Sequence, residues 1–363
     1  MPTQTPRSLK ILVFSSRGWG TGCPLRARYI AQALKTRGHQ VQFVEPLHSL
    51  PLWFDMVLST FYYFIVSLLH TSQVAFAVKP YPNVIPALWV QRLKGAKVVI
   101  DVDDLDYAYN SGWFQKFHRW IETPWPAWAD FVTYHNPNLL EPLESVFHVP
   151  ASRCVSLPQG VDTHLFFPKA PNTDDLPFAA RILVGREDVR PILAFGAYLN
   201  KACDLEPILE AFRKVHRVLP LSQLLVAGGG PDEGRFKHMV RMMGISPSVH
   251  FTGYIHPRQV AACLNLSDAA LAYYGEANAN EHRSSMKLRE ALACGCRVVA
   301  AGVDEEPQSK KGLTLSKTDP ESFAKAVLSA LKRKKNTRAT ALLVKKWDWT
   351  FCVKNLETEL LKP

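Results

Sequence analysis

At 363 residues the chain exceeds the usual size of one domain, so two domains of similar size are expected. It is 47% hydrophobic and 21% charged, a globular composition with apolar material for two cores. The formal charge of +11 favours an anionic partner, but no basic block interleaves with aromatics and no zinc-finger or RNP-like pattern occurs, which argues against nucleic acid. Seven cysteines, an odd number with no C-x-x-C pair, read as reduced thiols of a cytosolic protein without a disulfide framework or structural zinc.

Along the chain, the polar start "MPTQTPRSLK" leads directly into the strand run "ILVFSS", so no signal peptide is expected. "RGWGTG" follows, a glycine-rich loop with Gly18, Gly20 and Gly22 before the helical pattern "LRARYIAQALKTRG". It is neither a Walker A motif nor a clean G-x-G-x-x-G. After the strand "HQVQFVEP" comes an apolar, aromatic-rich segment, Leu50 to Leu69, that contains Asp55 and Pro51. Three readings stay open for it: a buried helix, a membrane-surface contact, or a span. "VAFAVKPYP", "AKVVIDVDD" and "DFVTYHNP" then complete the strand–helix grammar of a parallel, doubly wound sheet.

Ligands of such sheets bind beyond the carboxyl ends of the strands, so residues there are the site candidates. In the first half these are Lys79, Asp101, Asp103, Asp104 and His135. Asp101 and Asp103 alternate along a strand and are expected to share a face. Helix-capping carboxylates and a satisfied loop histidine are the structural alternatives. A Pro-, Asp- and Asn-rich stretch near 166–191 marks a linker, and the grammar restarts at "PILAFGAYL". The expected domains are 1–172, 173–345 and a closing helix at 346–363.

In the second half, "SSMKLREALACGCRVVAAG" (284–302) places a helix start at Ser285 and Met286 after a strand and a polar loop. Free amides and the helix dipole make such a start an anion seat. Lys287 is a poor first-turn residue unless an anion lies there. Glu290, three residues on, can accept hydrogen bonds from a ribose diol next to a bound phosphate. An exposed Lys–Glu pair is the alternative.

"PQGVDTHLFFP", "AGGGPDEGRFKHMVRMMGISPSVHFTGYI" and "KLREALACGCRVVA" resemble, in that order, blocks of the family 4 glycosyltransferases of GT-B fold. The likeness covers nearly the whole chain. It implies two Rossmann-like domains facing across a cleft, the last helix crossing back to the first domain, and retaining transfer of a hexose without metal or other cofactor. It makes Glu290 the ribose-binding glutamate and Lys201 the diphosphate lysine. It places Gly228, Gly229, Gly230 and the stretch Phe251 to Tyr254 by the nucleobase of a UDP- or GDP-linked sugar. It sets Asp103 and Asp104 at the "xVHD" motif, with Asp103 the contact to sugar or acceptor hydroxyl. Two positions depart from the family pattern: Ala197 and Tyr198 follow Gly196 where an arginine is usual, and His282 stands where the first donor-sugar glutamate belongs, with Glu281 beside it. Lys287, with Arg283, is therefore expected to replace the missing arginine. The expected partners are a nucleotide sugar, a glycan or lipid-linked acceptor and an anionic membrane surface, at the inner face of the cell membrane. A nucleotide-sugar 2-epimerase and a non-catalytic nucleotide-binding scaffold are the rival readings.

Overall fold

The computed structural model describes residues 8–17, 22–46, 52–109, 111–201, 203–275, 285–303, 312–334 and 344–362. They divide into two compact units, 8–160 with 349–362, and 161–348.

The first unit is built on six parallel strands: β1 (Lys10–Ser15), β2 (Gln40–Val44), β3 (Val74–Val78), β4 (Lys97–Val102), β5 (Phe131–Tyr134) and β6 (Cys154–Ser156). Their order is β2-β1-β3-β4-β5-β6. These are short apolar runs covered on both faces, as parallel strands require. β3 is buried at every position and β1 at five of six. Helices α1 (Gly22–Thr36), α2 (Leu52–Leu69), α3 (Ile85–Leu93), α4 (Gly112–Glu122) and α5 (Leu140–Ser145) supply the crossovers.

α2 is the Leu50–Leu69 segment, and its amphipathicity is inverted. Ser59, Tyr63, Val66 and Ser67 point into the unit, while Phe54, Val57, Leu58, Phe61, Ile65, Leu68 and Leu69 are more than half exposed. The structure therefore excludes a wholly buried helix. Among the described residues no helix is long and apolar enough to cross a membrane, so the spanning reading finds no support either.

The second unit repeats the architecture with β7 (Ile192–Gly196), β8 (Gln223–Ala227), β9 (Val249–Phe251), β10 (Ala269–Tyr273), β11 (Arg297–Ala301) and β12 (Leu313–Ser316). All pair in parallel, in the order β12-β11-β10-β7-β8-β9. Read from β9, this is the 3-2-1-4-5-6 order of a dinucleotide-type sheet. Its helices are α6 (Phe178–Arg181), α7 (Leu205–Val218), α8 (Glu233–Met242), α9 (Pro257–Leu266), α10 (Met286–Ala293) and α11 (Pro320–Leu331). α7 buries Leu205, Ile208, Leu209, Phe212 and Val215, a 3–4 spacing that turns one face onto the sheet.

The closing segment, α12 (Trp349–Cys352) and α13 (Lys354–Leu360), belongs to the first unit. Trp349 stacks on Tyr29 of α1, ring centroids 5.8 Å apart at 18°. Glu357 of α13 accepts from Arg37 Nε at 2.7 Å and lies 3.1 Å from His39 Nε2.

Candidate active site

Each sheet has one place where the strand order reverses, and a crevice opens there beyond the strand ends. In the second sheet it lies between β7 and β10, so residues 197–201, 203–204 and 274–275, which follow those strands, flank it. Asp204 ties the two together: its Oδ2 accepts from the Gly275 N–H at 3.0 Å. A side chain on Gly275 would press on that carboxylate, 3.1 Å from its Oδ1. Sequence reading missed Asp204; its only signal was an acidic residue just ahead of a helix.

The three consecutive glycines have a role in shaping the β7 loop. A Cβ on Gly228 would sit 1.9 Å from the Ala197 carbonyl oxygen, and one on Gly230 2.2 Å from that of Leu199. Gly228 also has φ +134°, a conformation L side chains rarely adopt. Backbone therefore lies directly on backbone: Leu199 N–H donates to Gly229 O at 3.0 Å, and Asp232 N–H to Leu199 O at 2.9 Å. Two residues further on, Lys201 projects from this clamped loop and is exposed. Tyr254 is exposed beside Tyr198, ring centroids 6.0 Å apart.

α10 starts at Met286 with Ser285 as its N-cap. The Ser285 hydroxyl accepts from Leu288 N–H at 3.3 Å and from the Tyr274 hydroxyl, so it serves the helix and the end of β10. Leu288, Ala291 and Leu292 are buried, Lys287 is exposed, and Glu290 lies between them, half-buried. Burial pushes the Glu290 carboxyl up to about 7; the Lys287 ammonium lowers it and Asp162 raises it. A carboxylate so poorly solvated gains from hydrogen-bond donors such as vicinal hydroxyls. Gly18, Gly20, Glu281, His282 and Arg283 lie outside the described residues, and Gly22 opens α1.

The reversal of the first sheet falls between β1 and β3, and a charged cluster occupies it. Lys79 directly follows β3 at φ +70°, a strained position for a residue with a side chain. Its ammonium lies 2.6 Å from Asp106 Oδ1 and 3.4 Å from Asp103 Oδ1. The Tyr81 hydroxyl donates to Asp106 and accepts from Arg17, whose guanidinium is 3.7 Å from Asp106. Burial opposes the Lys79 charge, but Asp103, Asp106 and Asp104 outweigh it and hold its pKa well above the usual lysine value. Burial pushes the Asp103 carboxyl up against the pull of Lys79. Asp106 moves the other way: burial is overcome by Lys79 and Arg17, which hold it low.

The strand-end aspartates part company. Asp101 is the last-but-one residue of β4 and receives both Arg26 Nε and Nη2, at 2.7 and 2.8 Å, with Thr133 Oγ1 at 2.6 Å. It is a structural anchor for α1. Asp103 lies just past the strand end and pairs with Lys79, while remaining close enough to Asp101 and Arg26 to feel their charges. His135 is buried and donates from Nε2 to the Asp103 carbonyl, a fixed loop role that also holds Asp103 in place. Asp104 is half-buried beside them. Arg17, Tyr81 and Asp106 were not singled out from sequence, because their charges meet only when three loops close together. No group of three His, Cys, Asp or Glu among the described residues is disposed to hold a metal ion.

Residues 190–333 match the family model described as glycosyl transferases group 1. The described residues of the matched segment lie wholly within the second unit. The match begins just ahead of β7 and ends after α11, so it takes in the clamped loop, Asp204, α10 and Glu290. The chain is also 26% identical over 225 residues to a GDP-mannose-dependent alpha-(1-6)-phosphatidylinositol monomannoside mannosyltransferase of Mycolicibacterium smegmatis, covering 60% of this chain and 57% of that one. Among solved structures, a sucrose-phosphate synthase from Thermosynechococcus elongatus superposes with TM-score 0.73 at 16% identity, covering 98% of this chain and 99% of that one. WaaG, a glycosyltransferase involved in lipopolysaccharide biosynthesis, gives 0.72 at 13%, covering 97% and 100%. Anabaena HepE in complex with UDP and glucose gives 0.69 at 14%, covering 98% and 100%. The chain thus has the GT-B fold.

Proposed function

We propose that the protein is a retaining glycosyltransferase that moves a hexose from a UDP- or GDP-linked sugar to an acceptor hydroxyl. The observation that carries the reading is Glu290: a poorly solvated carboxylate one turn inside α10, next to Lys287, within the segment matched by the family model. In this proposal Glu290 accepts from the ribose hydroxyls, while Lys201, Lys287 and the helix start balance the departing diphosphate. Gly228, Gly229, Gly230 and Tyr254 border the base; Glu281 and His282 are assigned to the donor sugar. On the acceptor side, Asp103 contacts the attacking hydroxyl, and Gly18, Gly20, Gly22, Lys79, Asp104 and His135 shape its surroundings. Binding positions the reactants and supports the leaving charge; no resident metal or cofactor is assigned.

The acceptor is a lipid-linked or cell-envelope glycan reached at the cytoplasmic face of the membrane. Exposed apolar residues along α2 and the excess of basic side chains support this assignment. Thermal-shift screening with UDP, GDP, ADP and their sugars tests the donor side: one diphosphate raises the melting temperature, and Glu290→Gln removes the rise. Product analysis with that donor alone separates transfer from epimerisation, since an epimerase needs no acceptor. No shift with any nucleotide overturns the proposal.

A further inference from the structure

Beside the charged cluster of the first unit lies a cavity of about 560 Å³, within the ~300–1,000 Å³ range of small-molecule sites. Met56, Val57 and Thr60 of α2 form one wall, and Trp120 and Ile121 of α4, continued by Pro124 and Trp125, form the other. Pro82 and Asn83 close its inner end. Its lining is almost wholly apolar.

Its two ends differ in chemistry. At the outer end, Val57 and Trp120 are exposed and continue into the bare face of α2, with Phe61 and Ile65 one and two turns on. Exposed Trp113 and Phe114 extend the apolar surface along α4, with Lys116 and Arg119 exposed among them. Tryptophan interleaved with basic residues is the composition of a bilayer interface. At the inner end, Pro82 and Asn83 directly follow Tyr81, which binds Arg17 and Asp106. Asn83 is buried, and its amide N–H groups donate to Ser16 O at 3.0 Å and Ser59 Oγ at 2.9 Å. Its Oδ1 has no hydrogen-bond partner among the described residues. That oxygen is closed off from the slot, and Asn83 braces the inner end by tying Ser16 to Ser59 of α2 through its amide.

We propose that this slot holds the aliphatic chain of the acceptor, with the polar head toward the Arg17–Tyr81–Asp106–Lys79 cluster and the chain leaving past Trp120 toward a bilayer. The inference rests on the glycosyltransferase reading for the word acceptor, but the slot itself does not. Met56, Ile121 and Trp125 enclose the chain. An apolar solute entering such a slot replaces water that the lining solvates poorly.

The test uses the full chain and 5-doxyl-stearate below its micelle concentration. Its nitroxide quenches tryptophan fluorescence when the chain lies against Trp120 and Trp125. Saturable quenching, reversed by unlabelled stearate or by farnesyl phosphate, is expected, and the stronger competitor tells acyl from isoprenoid chains. Thr60→Phe fills the slot and weakens binding at least tenfold. Val57→Phe serves the same purpose where Thr60→Phe fails to melt cooperatively. Phe61→Ser, on the bare face outside the slot, leaves saturable binding within twofold. Non-saturable quenching, competition by neither lipid, or unchanged affinity in the filled slot overturns the proposal. Chain binding without transfer from any nucleotide sugar keeps the slot and removes the transferase reading. Transfer to water-soluble acceptors without chain binding does the reverse.

Discussion

Glu290 is held where water reaches it poorly, and the Lys287 ammonium offsets only part of that cost. An unfolded glutamate titrates near ~4.3, while the folded group titrates at about 7. Between those values the folded state holds the extra proton, so stability falls as pH rises through the window and the full cost is present above 7. Glu290→Gln is therefore expected to be more stable than wild type at pH 8, by ~1–3 kcal/mol, with the advantage shrinking toward pH 5. Urea unfolding at the two pH values measures this, and equal stability at pH 8 contradicts it. Lys287→Ala tests the ligand side and also removes the cation that holds the Glu290 carboxyl down. Loss of a charge-assisted contact to a diphosphate weakens donor binding by about ten- to a hundredfold, and unchanged affinity by calorimetry removes Lys287 from the site. Gly230→Ala is an architectural change: its Cβ would fall 2.2 Å from Leu199 O and push the Lys201 loop away. Overpacking of this kind costs ~1–3 kcal/mol or more, read as a lower melting temperature. Lys287 and Glu290 were legible in sequence because helix spacing fixes their relation within one element. Asp204, Tyr81 and Asp106 were not, since each acts on a partner brought near only by tertiary closure, 71 residues away for Asp204 and Gly275. The glycine stretch was legible as a loop, but its load, backbone pressed on the 197–199 loop, was not.

Among the elements, α2 departs furthest from what a globular fold demands. A helix at the surface normally turns its apolar stripe inward. Here Ser59 and Ser67 are inside while Phe54, Phe61 and Leu69 face out. Wild-type protein is expected to co-sediment with anionic vesicles, and the Phe61→Ser, Ile65→Ser double variant should keep the fold, since both side chains are exposed, but lose that binding. Wild-type protein left in the supernatant contradicts a membrane role for α2. Composition revealed the apolar segment, but only the helix phase relative to the sheet decides which side chains face out. The strands were the most legible elements of all, because each is a short apolar run ended by polar residues. Asp103 shows what a single run leaves out: it sits just beyond β4, which ends at Val102, and its partner Lys79 comes from the end of the neighbouring strand β3.

At the scale of the whole molecule, the repeated strand–helix grammar identified two doubly wound sheets, and the strand orders place one reversal in each. What the pattern could not supply was how the chain closes. The first unit takes its last pieces, α12 and α13, from beyond the second, and Glu357 meets Arg37 and His39 some 320 positions away in sequence. Glu357→Ala leaves a buried histidine and a half-buried arginine without their carboxylate, a loss of ~1–3 kcal/mol in the first unit. A Cβ on Gly160 would meet the Trp349 indole at 2.5 Å, so the same seam is closed tightly at its other side. This has a consequence for biogenesis. Residues 8–160 leave the ribosome long before 349–362 exist, so the growing chain must wait with the Arg37–His39 edge and the Trp349 berth uncovered while the next domain is made. A nascent chain stalled at residue 160 should be far more protease-sensitive around α1 than the finished protein, and supplying the closing segment in trans should restore its resistance.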